Sequence, residues 1–253
     1  PTLHLVMEYV PGIPFLRWIK ESKNIIASLR LFCVLLRAVA FIHKFGIVHR
    51  DLKPENLITT GKVVGVIDFN TARRQERNLT ISGTAVGSKT HAAPEQMEDA
   101  KNATEVSDIF SLGMLFLEVV LAEAAPRPLN LNLLCEEDKA QYVADLETKL
   151  PPTFRAIFHN SANINPDKRY QSCEYFSKAV EAKITELDTS QKGVNVAAQP
   201  QNALESRLEF LERKTTYLEN KLYEIYQLAE MPDTDENCPF LAYLNDLKKK
   251  GIL

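Results

Sequence analysis

The chain has 253 residues, 45% of them hydrophobic and 25% charged, with a formal net charge of −3. These proportions suit one large folded domain, or a medium domain with an appendage, and the near-neutral charge excludes the strongly basic footprint of a nucleic-acid or membrane-surface binder. The four scattered cysteines (Cys33, Cys135, Cys173, Cys238) form no CxxC or Cys/His pair at zinc spacing, which points to reduced thiols in a cytoplasmic setting.

The first residues, "PTLHLVMEYV", lack a Met and already lie in an apolar run, so a piece of a longer chain is expected. Residues 3–10 read as a buried strand cut short by Pro11-Gly12 and Pro14. Apolar positions recur at helical spacing over 25–45, with Gly46 placed as a C-terminal cap. "NLITT" and "VVGVID" are short strands joined by a turn at Gly61-Lys62. Residues 71–93 have no steady period and predict one long loop, a feature that is usually functional inside a compact domain.

Helices are predicted near 106–124, 137–147, 152–159 and 172–186, and 188–202 reads as a polar linker. The stretch 109–122 is apolar but too short for a bilayer and carries Glu118, so it predicts a buried core helix. From Leu204 the apolar positions alternate steps of four and three through Leu208, Leu211, Thr215, Leu218, Leu222, Ile225 and Ala229. This is a heptad seam over 203–229. Arg207 and Lys214 stand where a parallel partner presents Glu212 and Glu219, which favours a parallel homodimer. A single amphipathic helix lying on the preceding domain satisfies the same seam. Residues 230–253 form a polar tail ending in the lysine run Lys248–Lys250.

The chemistry is concentrated in "HRDLKPEN", residues 49–56. A polar loop between a helix and a strand presents Asp51, Lys53 and Asn56 within one short turn. An aspartate there can accept a hydroxyl proton, a lysine can neutralise a phosphoryl group, and an asparagine oxygen can bind a divalent metal. Asp68 of "GVIDFN" adds a second hard oxygen.

These strings resemble the C-terminal lobe of a eukaryotic-type (Hanks-type) serine/threonine protein kinase. The resemblance runs over 1–187 and implies a mainly α (α+β) fold with short β-hairpins, the N-terminal lobe falling ahead of Pro1. It implies ATP and Mg2+ as cofactors and a protein substrate, while the near-neutral charge gives no sign of nucleic-acid or membrane contact in this segment. In "LVMEYV" it implies adenine contacts from Met7, Glu8 and Val10, with Ile58 as the apolar floor. Asp51 corresponds to the catalytic base, Lys53 to the phosphate-binding lysine of the serine/threonine type, and Asn56 and Asp68 to the metal ligands.

The resemblance also makes Glu95 of "AAPEQ" pair with Arg169 of "NPDKRY", while Asp108 of "SDIFSLG" holds the catalytic-loop backbone. Ser88 and His91 take the places of the usual threonine and tyrosine of the substrate-side loop. Thr84 falls where activating phosphorylation is common, with Arg50 and Arg73 as its cationic partners. Asn70 replaces the usual glycine of the Asp-Phe-Gly trio, and asparagine is among the few other residues that enter the left-handed region readily. The family's glycine-rich loop, strand lysine and helix glutamate all precede the hinge. The sequence therefore supports either an active serine/threonine kinase whose 253-residue piece is inactive alone, or a pseudokinase scaffold working through its C-terminal helix.

Overall fold

The computed structural model describes residues 9–69, 72–74, 90–124 and 135–192. All of these belong to the first of two compact units, 1–192; the second unit, 193–253, contains the expected heptad helix and tail and lies outside the described residues.

The longest apolar helices pack against each other and place the polar loops at their ends. α2 (Ile25–His43) starts at Asn24, whose side chain accepts the Ala27 N–H at 3.1 Å, a typical N-cap. It packs along α7 (Cys173–Lys192) and α4 (Glu105–Leu121). Phe32 of α2, Phe116 of α4 and Phe176 of α7 meet with ring centroids 5.5–6.0 Å apart, and Phe154 of α6 (Pro152–His159) joins them at 6.1 Å from Phe116. Such tilted and edge-on pairs add about 0.5–1.5 kcal/mol each beyond their area burial. α2 is by length and composition the one described helix apolar enough to cross a membrane. Leu29, Phe32, Leu35, Leu36 and Val39 are nonetheless completely buried within the protein core, the setting of a central core helix.

The strands form two small antiparallel sheets that contact α2. β1 (Ile13–Pro14), β3 (Leu57–Thr59) and β4 (Val64–Val66) form an antiparallel sheet in the order β1-β3-β4, with Ile13 opposite Thr59 and Ile58 opposite Gly65. Gly12 (φ +142°) is required at its entry, since a Cβ there would lie 2.5 Å from the Thr59 carbonyl oxygen. β2 (Ile47–Val48) pairs with β5 (Arg73–Arg74). α1 (Phe15–Ser22), α3 (Pro94–Glu98) and α5 (Glu136–Lys149) complete the set.

Several elements differ from the sequence reading. Tyr9 and Val10 lie outside any strand, because pairing begins only at Ile13, past the Pro11-Gly12 bend. Residues 71–93 are not one loop throughout, since Arg73–Arg74 pair with β2, a contact too short to carry a period. α1 and α3 are not among the predicted helices; both are short, α1 starting after the N-cap Pro14 and α3 opening on Pro94 itself. α4 ends at Leu121 because Ala122 turns left-handed at φ 53°. Residues 188–192, expected as the start of a linker, belong to α7, which continues to Lys192. Thr189 and Ser190 satisfy their hydroxyls on the Glu186 carbonyl at 2.9 and 2.8 Å, and Asp188 is held by Arg30. These polar residues are therefore compatible with helix.

Candidate active site

The loop between β2 and β3 is shaped by its own polar side chains. Lys53 Nζ lies 2.6 Å from Asp51 Oδ2. Asn56, in the 3-10 turn Pro54–Asn56, donates through Nδ2 to the Asp51 carbonyl at 2.8 Å and to Asp51 Oδ2 at 3.0 Å. The Asp51 N–H donates to His49 Nδ1 at 3.3 Å, and His49 Nε2 reaches the Ile67 carbonyl at 3.3 Å. His49 is therefore the neutral Nε2–H tautomer. Burial pushes its imidazole below the ordinary value, against the opposing pull of Asp108, the Ile67 carbonyl, Asp51 and Asp68. Phe69 packs its ring on His49 at 4.7 Å, which ties the segment after β4 to the loop.

The loop backbone is braced from below by α4. Asp108, fully buried, accepts the backbone N–H of His49 and of Arg50 at 2.9 Å each. Its Oδ2 is also 2.8 Å from His43 Nε2, and Cys173 Sγ lies 3.8 Å from His43 Nδ1. Nothing in the spacing of the sequence points to His43. It ends α2, 65 residues before Asp108, so only the packing of α2 on α4 shows the pairing. Arg50 is buried and takes the left-handed φ of 68°. That conformation is uncommon for a non-glycine residue and persists only where the surroundings impose it.

A second brace lies under α3. Arg169 Nη1 and Nη2 donate to the two carboxylate oxygens of Glu95 at 2.7 and 2.9 Å. Its remaining N–H bonds go to the carbonyls of Asn163, Val106 and Ile164, and the guanidinium lies over the Phe110 ring at 5.0 Å. Ser107 Oγ donates to Glu95 at 2.7 Å while accepting the Thr104 N–H, so the start of α4 joins the same network. Burial pushes the Glu95 carboxyl up, but the Arg169 hydrogen bonds and charge, with Ser107, together hold it below the usual carboxylate range.

Residues 1–180 match the model of the protein kinase domain. The chain belongs to that family. It is 30% identical over 176 residues to a probable serine/threonine-protein kinase of Clostridium acetobutylicum, covering 67% of this chain and 27% of the relative. A second probable serine/threonine-protein kinase, from Streptomyces coelicolor, is 30% identical over 190 residues, with 71% and 28% covered. The serine/threonine-protein kinase PknA of Mycobacterium tuberculosis is 32% identical over 187 residues, with 72% and 43% covered. These relatives place the chain with the Hanks-type serine/threonine kinases, and it spans only about a quarter to two fifths of their lengths.

Within this kinase domain, Ile58 lines a cavity of about 500 Å³ together with Gly12, Ile13, Pro14 and Leu57. Val10 borders the same sheet, its Cγ1 lying 2.9 Å from where a Cβ on Gly65 would stand. Pro54 and Glu55 also line the cavity, so it abuts the turn that carries Asn56. Among the described residues no three His, Cys, Asp or Glu side chains cluster as a metal site. The two oxygens that are present still suit magnesium, which keeps several water and phosphate ligands of its own. Asn56 spends its Nδ2 on Asp51, which turns Oδ1 away as the donor atom, and Asp68 is exposed at φ 61°. The backbone of Arg73 pairs with Val48, two residues ahead of Arg50. Met7, Glu8, Asn70, Thr84 and Ser88 lie outside the described residues.

Proposed function

We propose that the protein transfers the γ-phosphoryl group of ATP to serine or threonine hydroxyls of a protein substrate. The observation that carries this reading is the Asp51 carboxylate, oriented by Lys53 and Asn56 on a backbone fixed by Asp108. In the transfer, the substrate hydroxyl oxygen bonds to the γ-phosphorus as the bond to the β-phosphate oxygen breaks. ADP leaves, and the hydroxyl proton passes to Asp51. Lys53, beside Asp51, neutralises charge on the transferring oxygens. Asn56 Oδ1 and Asp68 would hold Mg2+, which supplies charge neutralisation to the phosphates. The apolar floor at Ile58 would receive adenine, with the backbones of Glu8 and Val10 hydrogen-bonding the base and Met7 as the gatekeeper beside it, the roles that the family resemblance implies.

The family's glycine-rich loop and strand lysine are not in the 253 residues, and we propose that this chain alone transfers negligible phosphate because positioning and charge stabilisation fail together. The test is magnesium-dependent transfer of labelled phosphate by the full-length protein and its Asp51→Asn variant. A loss of at least about 100-fold in the variant is expected for removal of the base. Equal signal from both proteins would reject catalysis and favour a pseudokinase scaffold.

Two further parts of the reading rest on sequence. We propose that phosphorylated Thr84 pairs with Arg50 and Arg73; full additivity of Thr84→Ala and Arg50→Ala in activity would reject this. We also propose a parallel homodimer through 203–229, supported by its heptad charge pattern. A monomer in sedimentation, with or without those residues, would exclude it.

A further inference from the structure

Gln96 is fully buried in α3, and its Nε2 donates to the backbone carbonyl of Arg50. That carbonyl belongs to the peptide unit leading into Asp51. The other end of the same unit, the Asp51 N–H, is held by His49 Nδ1. One unit earlier, the Arg50 N–H is held by Asp108 Oδ1 at 2.9 Å. The Arg50 N–H, the Arg50 carbonyl and the Asp51 N–H on either side of the left-handed Arg50 thus each have a partner, and one of these partners comes from α3 rather than from the loop or α4. A positive φ at a non-glycine residue relaxes unless its flanking peptides are fixed.

From this geometry we propose that Gln96 is a positioning residue for the reaction above. It couples the seating of α3, which the Glu95–Arg169 pair secures, to the direction in which Asp51 presents its carboxylate. Only a side-chain N–H donor of this length serves. An isosteric methionine would leave the Arg50 carbonyl buried without that donor, and a glutamate would donate only when protonated.

The kinetic part of the test rests on the proposed kinase activity, so it is paired with a measurement that does not. Hydrogen exchange of the amides over 49–52 is followed in the full-length protein and in its Gln96→Met and Gln96→Glu variants. In Q96M, exchange there rises about tenfold and kcat falls about tenfold with KM changed less than about twofold, the scale of one lost hydrogen bond to a buried carbonyl. Exchange within α4 stays at the wild-type level. In Q96E only a protonated carboxyl can donate to the Arg50 carbonyl, so protection lost at pH 8 returns as the pH is lowered, relative to wild type at each pH. If Q96M fails to fold, the Q96E recovery decides by itself. Unchanged exchange over 49–52 in Q96M, or no recovery in Q96E, overturns the proposal. A wild-type protein without transfer activity rejects the kinase reading, and the exchange results then decide Gln96 alone.

Discussion

Replacing Arg169 with Met tests how much of the domain hangs on one buried pair. The substitution removes two bonds to Glu95 and three to the carbonyls of Asn163, Val106 and Ile164. It leaves the Glu95 carboxylate, whose side chain is 18% exposed, with the Ser107 hydroxyl as its remaining side-chain donor in this network. Breaking a buried pair from one side costs about 3–5 kcal/mol, since the orphaned charge keeps its desolvation penalty. For a domain of this size that corresponds to a fall in Tm of about 6–20 °C. Lysine at 169 keeps the charge but offers a single ammonium in place of the fork, and is expected to recover less than half of the loss. Thermal and urea unfolding of wild type, R169M, E95Q and the double variant give the coupling directly, with the double variant less damaged than the sum of the singles. A loss below about 1 kcal/mol for R169M, the worth of an exposed pair, would refute the reasoning.

The same pair predicts acid sensitivity. The Glu95 carboxyl is held below its unfolded value near 4.5, so its contribution is complete above that pH and disappears as the pH falls through the lower, folded value. Urea titrations between pH 3 and 6 should show this slope in wild type and a shallower one in E95Q; equal slopes would count against it. Gly113→Ala should destabilise by about 1–3 kcal/mol through overpacking, because the added Cβ would stand 2.7 Å from Ser161 Oγ and 2.9 Å from the Ala162 nitrogen. A neutral result in urea unfolding would show that α4 and the 161–162 turn are not in such close contact. Burial, with the charge of Glu181, pushes the Cys33 thiol up to about 11, and burial holds Cys173 well above its ordinary value, whereas Cys135 is exposed. Iodoacetamide at pH 8 should therefore modify Cys135 at least about 100-fold faster than Cys33 or Cys173, as read by peptide mass spectrometry. Comparable rates would mean that α2 and α7 do not cover these thiols.

Much of the chemistry was legible in the sequence because it is local. Asp51, Lys53 and Asn56 fall within six residues, and the bonds among their side chains are those that a single turn of loop can make. The core helices were legible for a similar reason, since a long apolar period at α2 and α4 admits little but burial. Short elements were not, because two residues at Arg73–Arg74 or Ile13–Pro14 carry no period and are strands only by virtue of a distant partner.

Residue types at motif spacing determined which groups are available: a carboxylate, an ammonium and two further oxygen donors along one stretch of chain. The tertiary structure decided what holds them. His43 meets Asp108 across 65 positions, and Gln96 reaches the Arg50 carbonyl across 46. These contacts have no sequence signature, because a hydrogen bond between distant segments depends on how helices pack, and packing is a property of the whole core.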